Sequence, residues 1–148
     1  YSTETAISRL KMALLCTVTK AGKESEIGNI CLKIDWLYQD LADELEENSS
    51  DYESKKENYL AEAHNFAMNA YEHLSKARME ESFPIAGMNE TTLDYLLSYL
   101  GYVKGEYQTA MQYLSGVVST RGISPRLKDK CLELKELLNQ KLHASADQ

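Results

Sequence analysis

A long stripe of apolar residues at helical spacing constrains the fold of this chain more than any other feature. It lies within residues 24–45 and consists of Ile27, Ile30, Ile34, Leu37, Leu41 and Leu45, with Cys31 and Tyr38 beside it. Apolar residues three and four positions apart share one side of an α-helix, whereas a half-buried strand requires strict alternation. The stripe therefore predicts a helix that is buried along one face.

Similar spacing recurs along the rest of the chain, and only two prolines and seven glycines interrupt it. We predict an all-α fold of about six helices in one domain, residues 1–148. The predicted segments are a leading helix over 1–22, a first helix pair with a long insertion over 24–80, a second helix pair over 89–120 and a C-terminal capping helix over 124–143. Gly22 is expected to end the first helix, Asn89 to cap the fourth, and Ser124 with Pro125 to begin the last.

The inward face of each helix follows from the same spacing. The first helix is expected to bury Ile7, Leu10, Leu14 and Val18. The third is expected to bury Leu60, Ala63, Ala67, Ala70, Leu74 and Ala77. Because alanine side chains are small, the third helix should approach its neighbour closely. The insertion, about residues 44–59, is expected to lengthen both helices of the first pair.

Charge and hydropathy exclude several classes of partner. The longest apolar run, Met12 to Cys16, is far shorter than the roughly 20 residues that cross a bilayer, and we expect no membrane partner. Residues 40–57 contain eight acidic side chains and two lysines, a local net charge of −6. Such a surface repels phosphate backbones, so we expect no nucleic-acid partner. The plainer interpretation of this segment is a solvated helix end and loop.

The cysteines and histidines do not indicate a disulfide framework, a metal site or a catalytic site. Cys16, Cys31 and Cys131 are isolated, so they predict neither a disulfide framework nor a zinc site, and the cytoplasm is the expected compartment. His64 and His73 are nine residues apart on one helix and lack Glu-x-x-His spacing. We therefore predict no catalytic residue, no metal ligand and no cofactor. The first residue is a tyrosine, and we expect the chain to be part of a longer protein.

Two segments share a pattern that resembles the tetratricopeptide motif, in which a small residue marks the turn of a helix pair and alanine leads the second helix. The first segment contains Ile34, Tyr38, Ala42, Asp43, Ala63, Ala67 and Ala70. The second contains Leu97, Gly101, Gly105, Glu106, Tyr107, Ala110, Leu114 and Val117, and it is the better match. The resemblance implies a right-handed solenoid of stacked antiparallel helix pairs.

From about Leu10 to Val118 the chain also resembles the C-terminal helical region of a bacterial family of unknown function. The residues that carry this likeness are Ala13 to Cys16, Glu26-Ile27, Ile30 to Leu32, Trp36 to Tyr38, Pro84 to Glu90, Gly105 to Tyr107, and Ala110. Members of that family look like a pair of N-terminal Cys-x-x-Cys zinc-ribbon motifs joined to such a helical region. This chain has no Cys-x-x-Cys motif, so no zinc function is carried over to its residues.

The tetratricopeptide resemblance implies a binding surface, because in such stacks the first helix of each pair lines a concave groove. The expected groove residues are Asn29, Lys33, Trp36, Gln39, Asp40, Thr92, Tyr95, Leu96, Tyr99 and Tyr102. Trp36 and Tyr99 would hold equivalent places in successive repeats. Rigid aromatic side chains with polar tips suit peptide recognition. The alternative is that these rings fill space beside the narrow alanine faces.

Three functions remain open. The first is a protein or peptide interaction module, whose partner includes the N-terminal region of its own parent chain among the candidates. The second is a structural scaffold that forms a homodimer through the apolar stripe of the last helix: Leu127, Cys131, Leu134, Leu138 and Leu142. The third is the substrate-recognition part of a larger zinc-containing protein.

Overall fold

Six α-helices make up the part of the chain that the computed structural model describes, residues 2–146. They are α1 (Thr3–Thr19), α2 (Glu24–Asp43), α3 (Tyr52–Glu80), α4 (Glu90–Lys104), α5 (Tyr107–Val118) and α6 (Pro125–Ala146). These residues contain no strand, and Ile85 and Met88 form an isolated β-bridge. The all-α prediction is confirmed. None of the described helices combines the length and the apolar character required to span a membrane.

The helices fall into two compact units with the boundary between Glu81 and Ser82. The first unit contains α1, α2 and α3, and the second contains α4, α5 and α6. The predicted stacking of helix pairs into a right-handed solenoid stays a prediction. Residues 1, 147 and 148 of the predicted domain lie outside the described residues.

In the first unit α2 packs against both α1 and α3. Contacts near the helix ends show that neighbours run antiparallel. Thr3 at the start of α1 donates a hydrogen bond to Glu44, the C-cap of α2 (2.8 Å). Glu24 at the start of α2 lies beside His73 in the C-terminal part of α3, whereas Tyr38 near the end of α2 contacts Tyr59 in the N-terminal part of α3. One cluster of buried residues joins all three helices: Ile7, Ile34, Tyr38, Leu41 and Ala63. Helix α2 thus supplies three of these five residues, Ile34 and Leu41 from its apolar stripe and Tyr38 beside the stripe.

The approach of α2 to α3 is close because small residues line the contact. Five side chains of α3 that were expected to face inward are buried: Ala63, Ala67, Ala70, Leu74 and Ala77. On α2 the small residue is Gly28, where an added β-carbon would lie 2.7 Å from Leu74 Cγ. The sequence indicated the small residues of α3 but not this glycine opposite them.

Two side chains contact the N-terminus of α2: His73 of α3, and Glu81, which is the C-cap residue of α3. The N-cap residue, Lys23, makes no side-chain capping hydrogen bond. Instead the backbone N–H of Ser25 donates to Glu81 Oε2 (3.0 Å), and the Ser25 hydroxyl donates to Glu81 Oε1 (2.6 Å). His73 Nδ1 lies 2.5 Å from Glu24 Oε2. A carboxylate at a helix N-terminus satisfies free N–H groups and complements the helix dipole.

Three details of the first unit differ from expectation. Val18 and Leu60 are exposed, with 52% and 44% of their surface accessible, because each lies to the side of its helix's contact face. The insertion lengthens α3 but not α2, which ends at Asp43, so Leu45 lies beyond the helix. The polar segment 46–51 offers no apolar face that could continue α2.

The end of α1 also differs, because Ala21 rather than Gly22 adopts the left-handed conformation, with φ of 52°. The N–H of Gly22 donates to Thr17 O (2.8 Å) and the N–H of Ala21 to Val18 O (3.1 Å), a Schellman motif. Gly22 is required for a different reason, namely the lack of space for a side chain. A β-carbon there would lie 2.4 Å from the Thr17 methyl group.

In the second unit α5 packs against both α4 and α6. One cluster of buried residues joins α5 and α6: Ala110, Leu114, Val117, Cys131, Leu134 and Leu138. Leu93, Leu97 and Leu100 of α4 are also buried. Asn89 accepts the N–H of Thr92 (2.8 Å) and Ser124 that of Leu127 (3.1 Å), so both predicted N-caps are confirmed. Gly105 ends α4 with φ of 96°. Three residues of the apolar stripe of α6, Cys131, Leu134 and Leu138, are buried against α5.

Candidate functional site

The outer face of α2 carries five of the predicted groove residues. Lys33, Trp36, Gln39 and Asp40 are exposed, and Asn29 is half-buried. Four of the five follow one another at spacings of four, three and four residues, which places Asn29, Lys33, Trp36 and Asp40 in one stripe. We call these five residues the Trp36 face.

Trp36 is the only tryptophan of the chain, and 50% of its surface is accessible. Its backbone is rigidly placed, since α2 is buried against α1 on one side and α3 on the other. A large exposed aromatic side chain on a rigid helix offers contact area at low entropic cost. Lys33 and Asp40, one turn to either side, add one positive and one negative charge.

A buried carboxylate lies directly under this face. Asp35 is only 3% exposed, and its Oδ1 accepts a hydrogen bond from Gln39 Nε2 (2.9 Å). Burial raises the pKa of the Asp35 carboxyl, while the bond from Gln39 and the nearby His64 act in the opposite direction. The bond fixes the Gln39 amide on the Trp36 face. Sequence reasoning missed Asp35, although its position four residues after Cys31 and seven after Gly28 was a signal of burial.

On α4 the predicted groove residues divide into two groups. Thr92 and Tyr99 are exposed, Tyr99 with 45% of its surface accessible. Tyr95, Leu96 and Tyr102 are half-buried. Tyr95 and Tyr102 pack against the core formed by α5 and α6, and the Tyr102 ring lies 6.0 Å from that of Tyr107. These two tyrosines therefore pack against neighbouring helices, which was the alternative to a role in binding.

The burial of Tyr95 has an electrostatic consequence. Removal of its phenol from water raises the pKa of Tyr95, and nearby Cys131 of α6 acts in the same direction. The ring therefore contributes to the α4–α6 contact as a neutral group. Tyr99 is the α4 aromatic that keeps an accessible ring face.

Among residues 2–146, no three His, Cys, Asp or Glu side chains come together in a way that could hold a metal ion. His73 is engaged with Glu24, and His64 is exposed on α3. The Trp36 face presents one aromatic ring, the side-chain amides of Asn29 and Gln39, and two opposite charges, Lys33 and Asp40.

Residues 1–138 match the model of one protein family, described as an uncharacterized protein conserved in bacteria (DUF2225). The curated proteins and the solved structures contain no significant match to the sequence. The family match extends through all three helices of the first unit and most of the second. Since it covers far more than half of the sequence, the chain belongs to this uncharacterised family of conserved bacterial proteins.

Proposed function

We propose that this chain is a protein-interaction module of a bacterial protein and that it binds a peptide or a folded partner through the Trp36 face. The observation that carries the proposal is the half-exposed Trp36 on a helix that is buried on both flanks. Tryptophan is enriched among the residues that dominate binding energies. The partner region is expected to bring an apolar side chain for the indole ring and polar groups for Lys33 and Asp40.

A tetratricopeptide-like arrangement is part of the same proposal. Two features support it. First, α2–α3 and α4–α5 are antiparallel pairs, the second shown by the contacts of Ser98 with Ala110 and of Tyr102 with Tyr107. Second, each pair contains small buried residues: Gly28 and Ala70 in the first, Gly101 and Ala110 in the second. In such repeats the first helix of a pair binds the ligand, which in the first unit means α2. The N-terminal zinc-ribbon region implied by the family resemblance is a candidate partner, and the cytoplasm is the proposed compartment.

The uniqueness of Trp36 allows a direct test, because tryptophan fluorescence reports on this site alone. A peptide-display selection against the immobilised chain, with counter-selection against Trp36→Ala, would isolate ligands of the Trp36 face. Titration of these peptides should shift Trp36 emission to shorter wavelength and protect it from acrylamide quenching. Trp36→Ala should weaken binding about 30-fold, which corresponds to about 2 kcal/mol.

Met79→Ala is the matched control, because Met79 is a highly exposed apolar residue of α3 outside the Trp36 face. This variant should bind the selected peptides like the wild type. If no peptide is enriched over the counter-selection, or if the enriched peptides leave Trp36 fluorescence unchanged, the Trp36 face is not a peptide-binding surface.

A scaffold that forms a homodimer through α6 is the second candidate function. The observation in its favour is that Leu132 and Leu137 of α6 are exposed, although the central stripe of that helix is covered. Light scattering across a concentration series tests it. A mass that stays at one chain at all concentrations would exclude this function without affecting the first proposal.

A further inference from the structure

A cavity of about 250 Å³, open to solvent on one side, lies at the surface of the first unit between α1, α2 and the N-terminal half of α3. Its apolar lining comes from Ile7 and Leu41 together with the rings of Tyr38 and Tyr59. The two rings are 6.3 Å apart between centroids and inclined by 36°. This volume suits a group of the size of one large amino-acid side chain, and a lining that is mostly apolar with few polar groups is typical of ligand sites.

One cation is aimed at this cavity. The Lys11 ammonium donates a hydrogen bond to the Tyr38 hydroxyl (2.6 Å) and lies 5.1 Å from the centroid of the Tyr38 ring. It also lies 5.7 Å from the centroid of the Phe66 ring, which is stacked on Tyr38 at 6.0 Å. These two neighbours, Tyr38 and Phe66, are uncharged. They fix the ammonium in place without neutralising it, so it retains the capacity to bind an anion.

The remaining polar lining is arranged along α1. Glu4, Ser8 and Lys11 line the cavity together with Ile7, which follows from their spacing of three and four residues. Seven residues of helix separate Glu4 from Lys11, a rise of about 10 Å. The cavity is therefore positive at one end and negative at the other, with a hydroxyl and an apolar wall between them.

We propose that this cavity binds a small monocarboxylate with an apolar body, the carboxylate on Lys11 and the body between Ile7, Leu41 and Tyr59. A single lysine suits one carboxylate better than a phosphate dianion, which needs more donors. Glu4 at the far end repels a second negative charge. The same chemistry is offered by a free carboxylic acid and by the C-terminal residue of a peptide.

This site is distinct from the Trp36 face. Trp36 and Tyr38 are two residues apart on α2, so their side chains project about 200° apart around the helix. Binding at the cavity does not depend on the proposed protein-interaction function, and either can fail alone.

The test uses chemical-shift mapping by NMR of the whole chain with 4-methylpentanoate, N-acetylleucine and N-acetylleucinamide. The two carboxylates should perturb the resonances of Ile7, Tyr38, Leu41 and Tyr59 with dissociation constants in the millimolar range, and the amide should not. A tetrapeptide that ends in leucine distinguishes the sources. Saturable shifts with the peptide point to a chain terminus, and shifts with the free acids alone point to a small molecule.

Lys11→Met retains most of the aliphatic stem and removes the charge, and it should weaken carboxylate binding about 10-fold to 100-fold. Tyr38→Phe keeps the ring and frees Lys11 from its hydroxyl, so it should retain binding if the fold is intact. Lys33→Met, on the Trp36 face, is the matched control and should bind normally. Equal shifts by the amide and the acids, or wild-type binding by Lys11→Met, would overturn the proposal.

Discussion

Leu74 fills the space beside Gly28 so completely that a β-carbon at position 28 would lie 2.7 Å from Leu74 Cγ and 3.2 Å from its backbone nitrogen. Leu74 is fully buried, so moving its side chain aside would disturb the packing around it. Gly28 therefore sets how closely α2 and α3 approach. The distance between these two helices in turn fixes the position of α2, the helix that carries Trp36 and Tyr38.

Gly28→Ala should destabilise the protein by about 1 kcal/mol, since the strain of overpacking exceeds the gain in helix propensity. Gly116→Ala is the matched control, because nothing lies within 4 Å of a β-carbon there and α5 should gain up to about 1 kcal/mol. Urea denaturation of both variants measures the difference. If Gly28→Ala were as stable as Gly116→Ala, α2 and α3 would be able to move apart at no cost in free energy.

Glu81→Ala should lower the free energy of unfolding by about 1–2 kcal/mol, because Ser25 at the N-terminus of α2 loses the acceptor for both its N–H and its hydroxyl. Glu80→Ala, at an exposed neighbouring position, should change stability by less than about 0.5 kcal/mol. Thermal and urea unfolding of the two variants test the assignment. A loss of the same size in both would mean that Glu81 does not act through α2.

Ala21→Gly should stabilise the protein by about 0.5 kcal/mol. The left-handed conformation costs an alanine about 1–2 kcal/mol, and the larger entropy of glycine in the unfolded chain offsets part of the gain. Ala13→Gly, an exposed position within α1, should instead lose about 1 kcal/mol. The diagnostic result in denaturation curves would be changes of opposite sign in the free energy of unfolding for these two Ala→Gly substitutions.

Asp35 should make stability fall as the pH rises above the pKa of an unfolded aspartate, about 3.9. Burial raises the pKa of Asp35 in the folded state, so the folded protein binds more protons than the unfolded one in the interval between the two pKa values. Asp35→Asn removes this dependence, and the stability of the variant relative to wild type should increase across that interval. Gln39→Ala should strengthen the dependence, because it removes the hydrogen bond that opposes the shift. A constant difference at all pH values would contradict the expectation.

Native thiol labelling should modify Cys16 and spare the other two cysteines. Cys16 is exposed, whereas Cys31 and Cys131 are each 1% exposed. Burial raises the pKa of Cys31 to about 11 and also raises that of Cys131, so both remain neutral thiols at pH 7. Ellman's reagent should therefore titrate one thiol per chain rapidly and all three in denaturant. Cys16→Ser should abolish the rapid phase, and its persistence would locate the reactive thiol elsewhere.

Local signals made much of this fold predictable. The stripe from Ile27 to Leu41, the alanines of α3 and the caps at Asn89 and Ser124 act within a few residues along the chain, and such interactions are readable from the order of residues alone. The likeness to a bacterial family was predictable for the same reason, since it rests on short contiguous motifs. Of the five residues of the Trp36 face, four are exposed and Asn29 is half-buried, and their role as a groove stays a prediction.

What only the tertiary structure decided is which side of each helix its neighbours cover. Tyr95 and Tyr99 are equally plausible surface residues in sequence, and packing of α5 and α6 buries half of one and leaves the other accessible. Lys11 meets Tyr38 across 27 residues of chain, and Glu81 meets Ser25 across 56. No local pattern encodes such pairs, because they depend on how closely two helices approach, which is set by the sum of many small side-chain volumes.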